Sequence, residues 1–272
     1  MKTIVLATDF SKNAEHAADY AVELARAWSA TLVLFHAYRY PPENLVEVGD
    51  FPLSVQLIRE QGETALHRLA NRLRQRTADA VPVRWVQKEG YVLPTTQEVT
   101  REQRADLLVM STVGTAPEGA RLFGSIATEL IPLTNVPLLL IPPGVTYAPV
   151  RNLVLGIDLK TPPNAVVFDA ATRLARQFGA VVNVLCVNDQ PTADAVRERA
   201  EHIRHLLREL PHTFTVRPGG DVFETLVDFA RTNRAELIMM LPQVHSWLAR
   251  LFNEGETQRM ARLADIPVLA VA

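Results

Sequence analysis

Cysteine is nearly absent from this sequence, since Cys186 is the single one among 272 residues. One cysteine excludes an internal disulfide and favours a reducing compartment. The apolar run that follows Met1 is broken at Asp9, which is too early for the hydrophobic region of a signal peptide. No apolar run approaches the roughly 20 residues that a membrane helix requires. These absences predict a soluble, cytoplasmic protein without a membrane partner.

Basic charge is not in excess, because 28 Lys and Arg stand against 30 Asp and Glu, for a formal net charge of −2. The lack of any Lys/Arg block argues against a nucleic-acid partner. The GKS or GKT of a P-loop is missing, and so is a GxGxxG turn after the first strand. His202 and His205 stand three residues apart, but such a pair is typical of a polar helix face, and we predict no metal site.

The chain contains an internal repeat, in which four segments recur in the same order. The pairs are IVLATDF (4–10) with LVLGIDL (153–159), ELARAWSATLVLFHA (23–37) with RLARQFGAVVNVLCV (173–187), ADLLVM (105–110) with AELIMM (235–240), and NVPLLLI (135–141) with DIPVLAV (265–271). Self-similarity over this length indicates tandem domains. We predict domains over residues 1–143 and 151–272, joined by a linker over residues 144–150 that contains glycine and proline.

Each copy alternates short apolar runs with amphipathic segments. In the first copy the apolar runs are TIVLAT, ATLVLFHAY, VPVRWVQ, DLLVMS and VPLLLIP, which are typical of strands covered on both faces. This alternation predicts an α/β fold, with a mainly parallel five-stranded sheet flanked by helices in each domain. Ligands of such sheets bind beyond the carboxyl ends of the strands. The turns after strands one and four are therefore the candidate sites.

Both turns carry residues suited to a ligand. Asp9 ends strand one, and Asp158 recurs at the aligned place in the second copy, although a lone Asp there is also typical of a turn or a helix cap. After strand four, STVGTAPEGARLFGS (111–125) contains Gly114 and Gly124 and ends at Ser125, before an apolar helix. These glycines either shape a loop or bring backbone N–H groups close to a phosphate.

With these features the chain resembles the universal stress protein family, as a tandem two-domain member. The signature of that family is Gly, two residues, Gly, nine residues, then Gly followed by Ser or Thr, after the fourth strand. In this sequence the signature reads Ser111, Gly114, Gly124 and Ser125, with serine in place of the first glycine. The resemblance implies two Rossmann-like domains of the adenine nucleotide alpha hydrolase-like group.

The resemblance also implies a ligand site. In ATP-binding members, the Asp after strand one lies beside the adenosine, and a backbone group after strand two contacts adenine. The glycine-rich loop and its terminal Gly-Ser hold the ribose and phosphates. By position, the implied site consists of Asp9, Ala37, Ser111, Gly114, Gly124, Ser125 and Ile126. The implied ligand is ATP, with or without Mg²⁺, and the resemblance implies no catalytic residue and at most slow hydrolysis.

The second copy departs from the signature. The residues aligned with the three loop positions are Leu241, Val244 and Glu254, so both loop glycines are missing. Negative charge beside a triphosphate is unfavourable at short range. We therefore predict that the second domain does not bind ATP in this manner, and that Asp158 is a structural remnant.

The preferred hypothesis is a stress-response protein that binds an adenine nucleotide in its first domain and acts by regulated binding more than by catalysis. The resemblance implies that the last strands, VPLLLI and IPVLAV, pair across the two domains. The hypothesis also includes a homodimer and a protein partner of unknown identity. One alternative is a scaffold protein of the same fold that binds no nucleotide. Another is an enzyme of the wider adenine-nucleotide group, which the missing catalytic signatures disfavour.

Overall fold

The computed structural model describes residues 1–39, 51–114, 125–157, 159, 164–188, 194–219, 221–241 and 265–271. The strands within these ranges are β1 Thr3–Ala7, β2 Thr31–Tyr38, β3 Val83–Glu89, β4 Leu107–Ser111, β5 Leu138–Ile141, β6 Asn152–Ile157, β7 Val181–Asn188, β8 His212–Pro218, β9 Leu237–Met240 and β10 Val268–Ala270. The helices within them are α1 Lys12–Trp28, α2 Phe51–Arg76, α3 Val92–Glu102, α4 Ser125–Leu130, α5 Ala165–Phe178, α6 Asp194–Leu206 and α7 Val222–Thr232.

These strands form one continuous sheet in the order β3-β2-β1-β4-β5-β10-β9-β6-β7-β8. Each half of the chain contributes five strands, and every pairing within a half is parallel. The first two strands of each half pair in the same register, because Leu6 pairs with Leu34 in the first half and the aligned Leu155 pairs with Val184 in the second. The predicted α/β fold, with a parallel five-stranded sheet in each copy, is confirmed.

Two hydrophobic cores lie on opposite faces of the sheet. Ile4 and Leu6 of β1 belong to the core beneath α1 and α2, whereas Val5 belongs to the core beneath α3 and α4. Burial on both faces explains why the strands are continuous apolar runs instead of alternating polar and apolar residues. Each core includes residues of both halves, so the interior of the molecule is shared between them.

Helix α1 packs on the sheet through small side chains. Ala17, Ala21 and Ala25 follow one another at four-residue spacing and are fully buried. The helix begins after Ser11, whose hydroxyl accepts a hydrogen bond from the backbone N of Ala14 at 3.2 Å. This cap satisfies one of the amide groups that the first helical turn leaves without an internal partner. Because α1 directly follows β1, its capped end lies at the carboxyl edge of the sheet.

The two halves join through their last strands. Strands β5 and β10 pair in antiparallel orientation, with Leu139 opposite Leu269, and both side chains are fully buried. The expected pairing of VPLLLI with IPVLAV is therefore present. Across the same joint, the rings of Trp28 and Phe178 meet edge to face with their centroids 5.0 Å apart.

Residues 144–150 run against α1. The backbone N of Gly144 donates to His16 Nδ1 at 3.3 Å, and the ring of Tyr147 meets that of Tyr20 edge to face at 5.3 Å. The boundaries of the two domains and of the linker stay predictions. None of the described helices combines the length and the apolar character needed to cross a bilayer.

Candidate functional site

A cavity of about 470 Å³ lies at the carboxyl edge of the first half, where β1, β2 and β4 end and α4 begins. The predicted site residues that line it are Asp9, Ala37, Ser111, Gly114 and Ile126. Ser125 is the first residue of α4 and directly precedes Ile126, whereas Gly124 lies outside the described residues. The fold therefore brings residues from separate turns of the sequence to one cavity.

The turn after β1 fixes the Asp9 side chain against its own backbone. Asp9 Oδ1 accepts a hydrogen bond from the N of Ser11 at 3.0 Å, and Thr8 Oγ1 accepts one from the N of Phe10 at 3.1 Å. Phe10 adopts a left-handed conformation with φ of 61°, which is uncommon for a bulky residue. Asp9 is thus both a turn residue and a cavity-lining carboxylate, so the two interpretations of its sequence position are compatible.

Gly114 is held next to Asp9. A Cβ atom built on Gly114 would lie 2.6 Å from Asp9 Oδ2, far inside normal contact distance. A side chain at residue 114 would therefore displace either the carboxylate or the loop after β4. This close approach gives the glycine a specific role in the site beyond loop flexibility.

Ser111 directs its hydroxyl into its own loop. The hydroxyl donates to the backbone O of Val113 at 2.6 Å and accepts from the backbone N of the same residue at 3.2 Å. The Ser111 side chain is buried, and the residue lines the cavity at the end of β4. The serine that replaces the first signature glycine thus closes a local turn after the strand.

His36 lines the cavity from β2 and is held in one tautomer. Its Nδ1 donates to the backbone O of Thr8 at 2.8 Å, which leaves Nε2 as the acceptor of the neutral ring. Burial lowers the pKa of His36 below its ordinary value, and the Thr8 hydrogen bond and the Asp9 carboxylate act in the opposite direction. Near pH 7 His36 is therefore a neutral hydrogen-bonding group and not a cation.

The cavity has an apolar wall and a polar wall. The apolar wall, from β2, β4, α3 and α4, consists of Phe35, Val92, Met110, Ile126 and Ala127. The polar wall consists of Thr8, Asp9, His36 and Ser111. Neither Lys nor Arg is among the described lining residues, and Asp9 supplies a negative charge. This division fits a ligand that has a flat apolar ring on one side and hydroxyl groups on the other.

Three polar lining residues, Thr8, His36 and Thr112, were not among the predicted site residues. A sequence signal exists for the first two, because the repeat aligns Ile157 with Thr8 and Cys186 with His36. Ile157 and Cys186 are both buried at the matching strand ends of the second half. Polar residues in the first copy with apolar counterparts in the second therefore mark this wall. Thr112, which follows β4, likewise aligns with an apolar residue, Pro242.

The sequence profile of the Universal stress protein family matches the chain twice, over residues 1–142 and over residues 149–272. The chain belongs to the universal stress protein family. This universal stress protein is 31% identical over 146 residues to a universal stress protein of Thermus aquaticus, covering 52% of this chain and 98% of the relative. It is also 27% identical over 141 residues to a universal stress protein of Methanocaldococcus jannaschii, covering 52% of this chain and 81% of the relative.

A solved universal stress protein from Archaeoglobus fulgidus matches nearly the whole molecule. The two structures have a TM-score of 0.74 at 14% sequence identity, covering 98% of this chain and 97% of the other. Likeness at this identity concerns the fold alone. It extends through both halves of this universal stress protein, in agreement with the tandem family match.

Proposed function

We propose that this universal stress protein binds ATP or a related adenine nucleotide in its first half and acts by regulated binding more than by catalysis. The observation that carries the proposal is that Asp9, Ala37, Ser111, Gly114 and Ile126 line one and the same cavity. Its volume lies within the range of small-molecule sites, and its position at the carboxyl ends of parallel strands is where α/β sheets bind ligands.

The two walls support an assignment of parts of the nucleotide. The apolar wall suits the adenine ring, and the Asp9 carboxylate suits the ribose hydroxyls, since a carboxylate is an acceptor. Because the described lining residues include no Lys or Arg, the phosphates in this proposal fall to the segment 115–125. That segment contains Arg121, Gly124 and Ser125.

The second half is proposed to bind no ATP in this manner. Three of the four polar-wall residues of the first half have apolar counterparts there, since Ile157, Cys186 and Leu241 align with the residues at 8, 36 and 111, whereas Asp9 aligns with Asp158. Ile157, Cys186 and Leu241 are all buried. The counterparts of Gly114, Gly124 and Asp9 lie outside the described residues; they are Val244, Glu254 and Asp158. We further propose that the second half serves as the pseudo-symmetric partner of the first, and that the chain forms a homodimer in the cytoplasm.

The direct test is to denature freshly purified protein and identify any released small molecule by mass spectrometry. Calorimetric titration with ATP and Mg²⁺ then measures affinity for the wild type, Asp9→Asn and Asp158→Asn. Asparagine keeps the oxygen that closes the turn but loses the charge, so Asp9→Asn should weaken binding roughly tenfold or more, the effect of a charge-assisted hydrogen bond. Asp158→Asn is the matched control in the second copy and should leave affinity unchanged.

A second variant tests the phosphate assignment. Gly124→Asp introduces a carboxylate at the signature position and should abolish ATP binding while the thermal unfolding of the free protein stays close to wild type. Persistence of ATP binding in Gly124→Asp would show that the phosphates lie elsewhere. An empty purified protein that also gives no heat with ATP and Mg²⁺ would overturn the proposal and favour the scaffold alternative.

A further inference from the structure

Thr112 has a buried hydroxyl group that the fold leaves unused. The residue is 1% exposed and lines the cavity directly after β4. Its backbone N donates to the O of Ile141 at 3.0 Å, so the main chain continues the pairing with β5. Its Oγ1 finds no hydrogen-bond partner among the described residues. Buried hydroxyls are normally paired, and an unpaired one destabilises the empty protein.

Three other buried hydroxyls among the described residues of the first half are paired, unlike that of Thr112. Ser111 Oγ donates to Val113, Thr77 Oγ1 donates to the O of Leu73 at 3.1 Å, and Thr134 Oγ1 donates to the O of Val136 at 2.8 Å. All of these residues are buried to a comparable extent. Among these four hydroxyls only that of Thr112 is unpaired, and Thr112 lines the cavity.

The location of Thr112 indicates which part of a ligand it would meet. Side chains alternate along β4, so Thr112 follows Met110 on the face toward α3 and α4. That face supplies the apolar wall, where Val92 and Ile126 also lie. A polar atom within an apolar wall is the feature that orients a heteroaromatic ring in a small-molecule site.

We propose that Thr112 is a ligand-binding residue whose hydroxyl hydrogen-bonds a polar atom of the nucleobase. The inference rests on the proposed nucleotide binding in the first half. In the empty protein the Thr112 Oγ1 atom is inaccessible to solvent, although Thr112 lines the cavity. Staggered χ1 rotamers differ by about 120°, and the proposal requires the rotamer of Thr112 that turns its hydroxyl into the cavity. The hydrogen bond to the base supplies the partner that Thr112 Oγ1 lacks among the described residues. The second copy has Pro242 at the aligned position and offers no such group.

Thr112→Val and Thr112→Ser in the intact chain test this assignment. Valine has the shape of threonine without the hydroxyl, and it should weaken ATP binding about tenfold, the fold-change expected for one hydrogen bond. Without nucleotide, the Thr112→Val protein should unfold at the wild-type temperature or higher, since the unpaired hydroxyl is gone. Serine keeps the hydroxyl and should bind ATP within about threefold of wild type. Calorimetry with ATP and Mg²⁺ measures affinity, and thermal unfolding without nucleotide measures stability.

Thr77→Val is the matched control. Thr77 is buried and paired at the end of α2 and does not line the cavity, so its valine variant should lower the unfolding temperature and leave ATP affinity unchanged. A Thr112→Val protein that binds ATP as tightly as wild type would overturn the inference while the proposed function stands. A wild-type protein that binds no ATP would overturn both.

Discussion

At the scale of single residues, the site depends on how closely Gly114 approaches Asp9. We predict that Gly114→Ala weakens ATP binding about tenfold or more, because the added Cβ would lie 2.6 Å from Asp9 Oδ2 and displace the carboxylate. Calorimetric titration of the purified variant with ATP and Mg²⁺ measures the loss.

A double-mutant cycle separates this cause from a general loosening of the loop. If Gly114→Ala acts through the carboxylate, the pair Asp9→Ala/Gly114→Ala should bind no more weakly than Asp9→Ala alone. Additive losses would mean that the glycine contributes independently of Asp9.

His36 should make the stability of the protein depend on pH. Its pKa is lowered in the folded protein, so the unfolded chain binds the proton more readily between that value and the ordinary 6.5. The stability that neutral His36 contributes is therefore fully present above 6.5 and is lost as the pH falls toward the folded pKa. His36→Asn keeps a donor for the Thr8 carbonyl but does not titrate. Urea unfolding at pH 7.5 and 5.5 should show a smaller loss for the variant, whereas equal losses would contradict the assignment.

The sequence predicted which strand ends meet but not how their polar groups are satisfied. Asp9 and Gly114 could be placed at one edge because the carboxyl ends of parallel strands lie together. The turn of Ser111 onto Val113 and the unpaired hydroxyl of Thr112 depend on distances in three dimensions. Hydrogen-bond satisfaction has no periodicity along the chain, so no pattern of residue types could reveal it.

At the scale of elements, the amino-terminal cap of α1 links helix stability to the cavity. We predict that Ser11→Ala lowers the free energy of unfolding by about 1 kcal/mol, because the first turn loses its side-chain acceptor. ATP affinity should fall as well, since Ala14 in that first turn lines the cavity. Denaturant unfolding and calorimetry measure the two effects.

Helix α5 offers the matched control. Asn164 caps it by accepting from the backbone N of Val166 at 2.9 Å, and it belongs to the second half. Asn164→Ala should lower stability to a similar extent without changing ATP affinity. Equal losses of affinity in both variants would show that the effect passes through overall stability.

The order and type of the elements followed from sequence because both copies obey simple patterns. Buried parallel strands are short apolar runs, and α1 shows small apolar residues at helical spacing. The pairing of β5 with β10 was expected only from family resemblance, and its antiparallel orientation is a finding of the structure. Strand periodicity cannot specify this pairing, because β5 and β10, which contain Leu139 and Leu269, are apolar runs of the same kind as the parallel strands. The partner of an edge strand is decided by tertiary packing.

At the scale of the whole molecule, β5 and β10 turn two five-stranded halves into one sheet with cores shared across both faces. We predict that the halves stay together after the covalent connection is cut. A protease site inserted at Ala148 and Pro149, which are exposed, allows the cut in the folded protein. The two fragments should then elute together in size-exclusion chromatography, because the buried leucines of the joint and the Trp28–Phe178 contact remain in place.

Leu269→Asp tests whether the strand joint holds the halves. Leu269 is fully buried opposite Leu139, and an unpaired carboxylate there would lose its hydration without gaining a partner. The cut variant should separate into fragments that no longer elute together. Leu57→Asp, on an exposed position of α2, introduces the same charge and should leave the cut protein associated. If the cut protein without any substitution also separates into its fragments, residues 144–150 hold the halves together instead. The sheet would then continue across the joint only because the linker keeps β5 and β10 at high effective concentration.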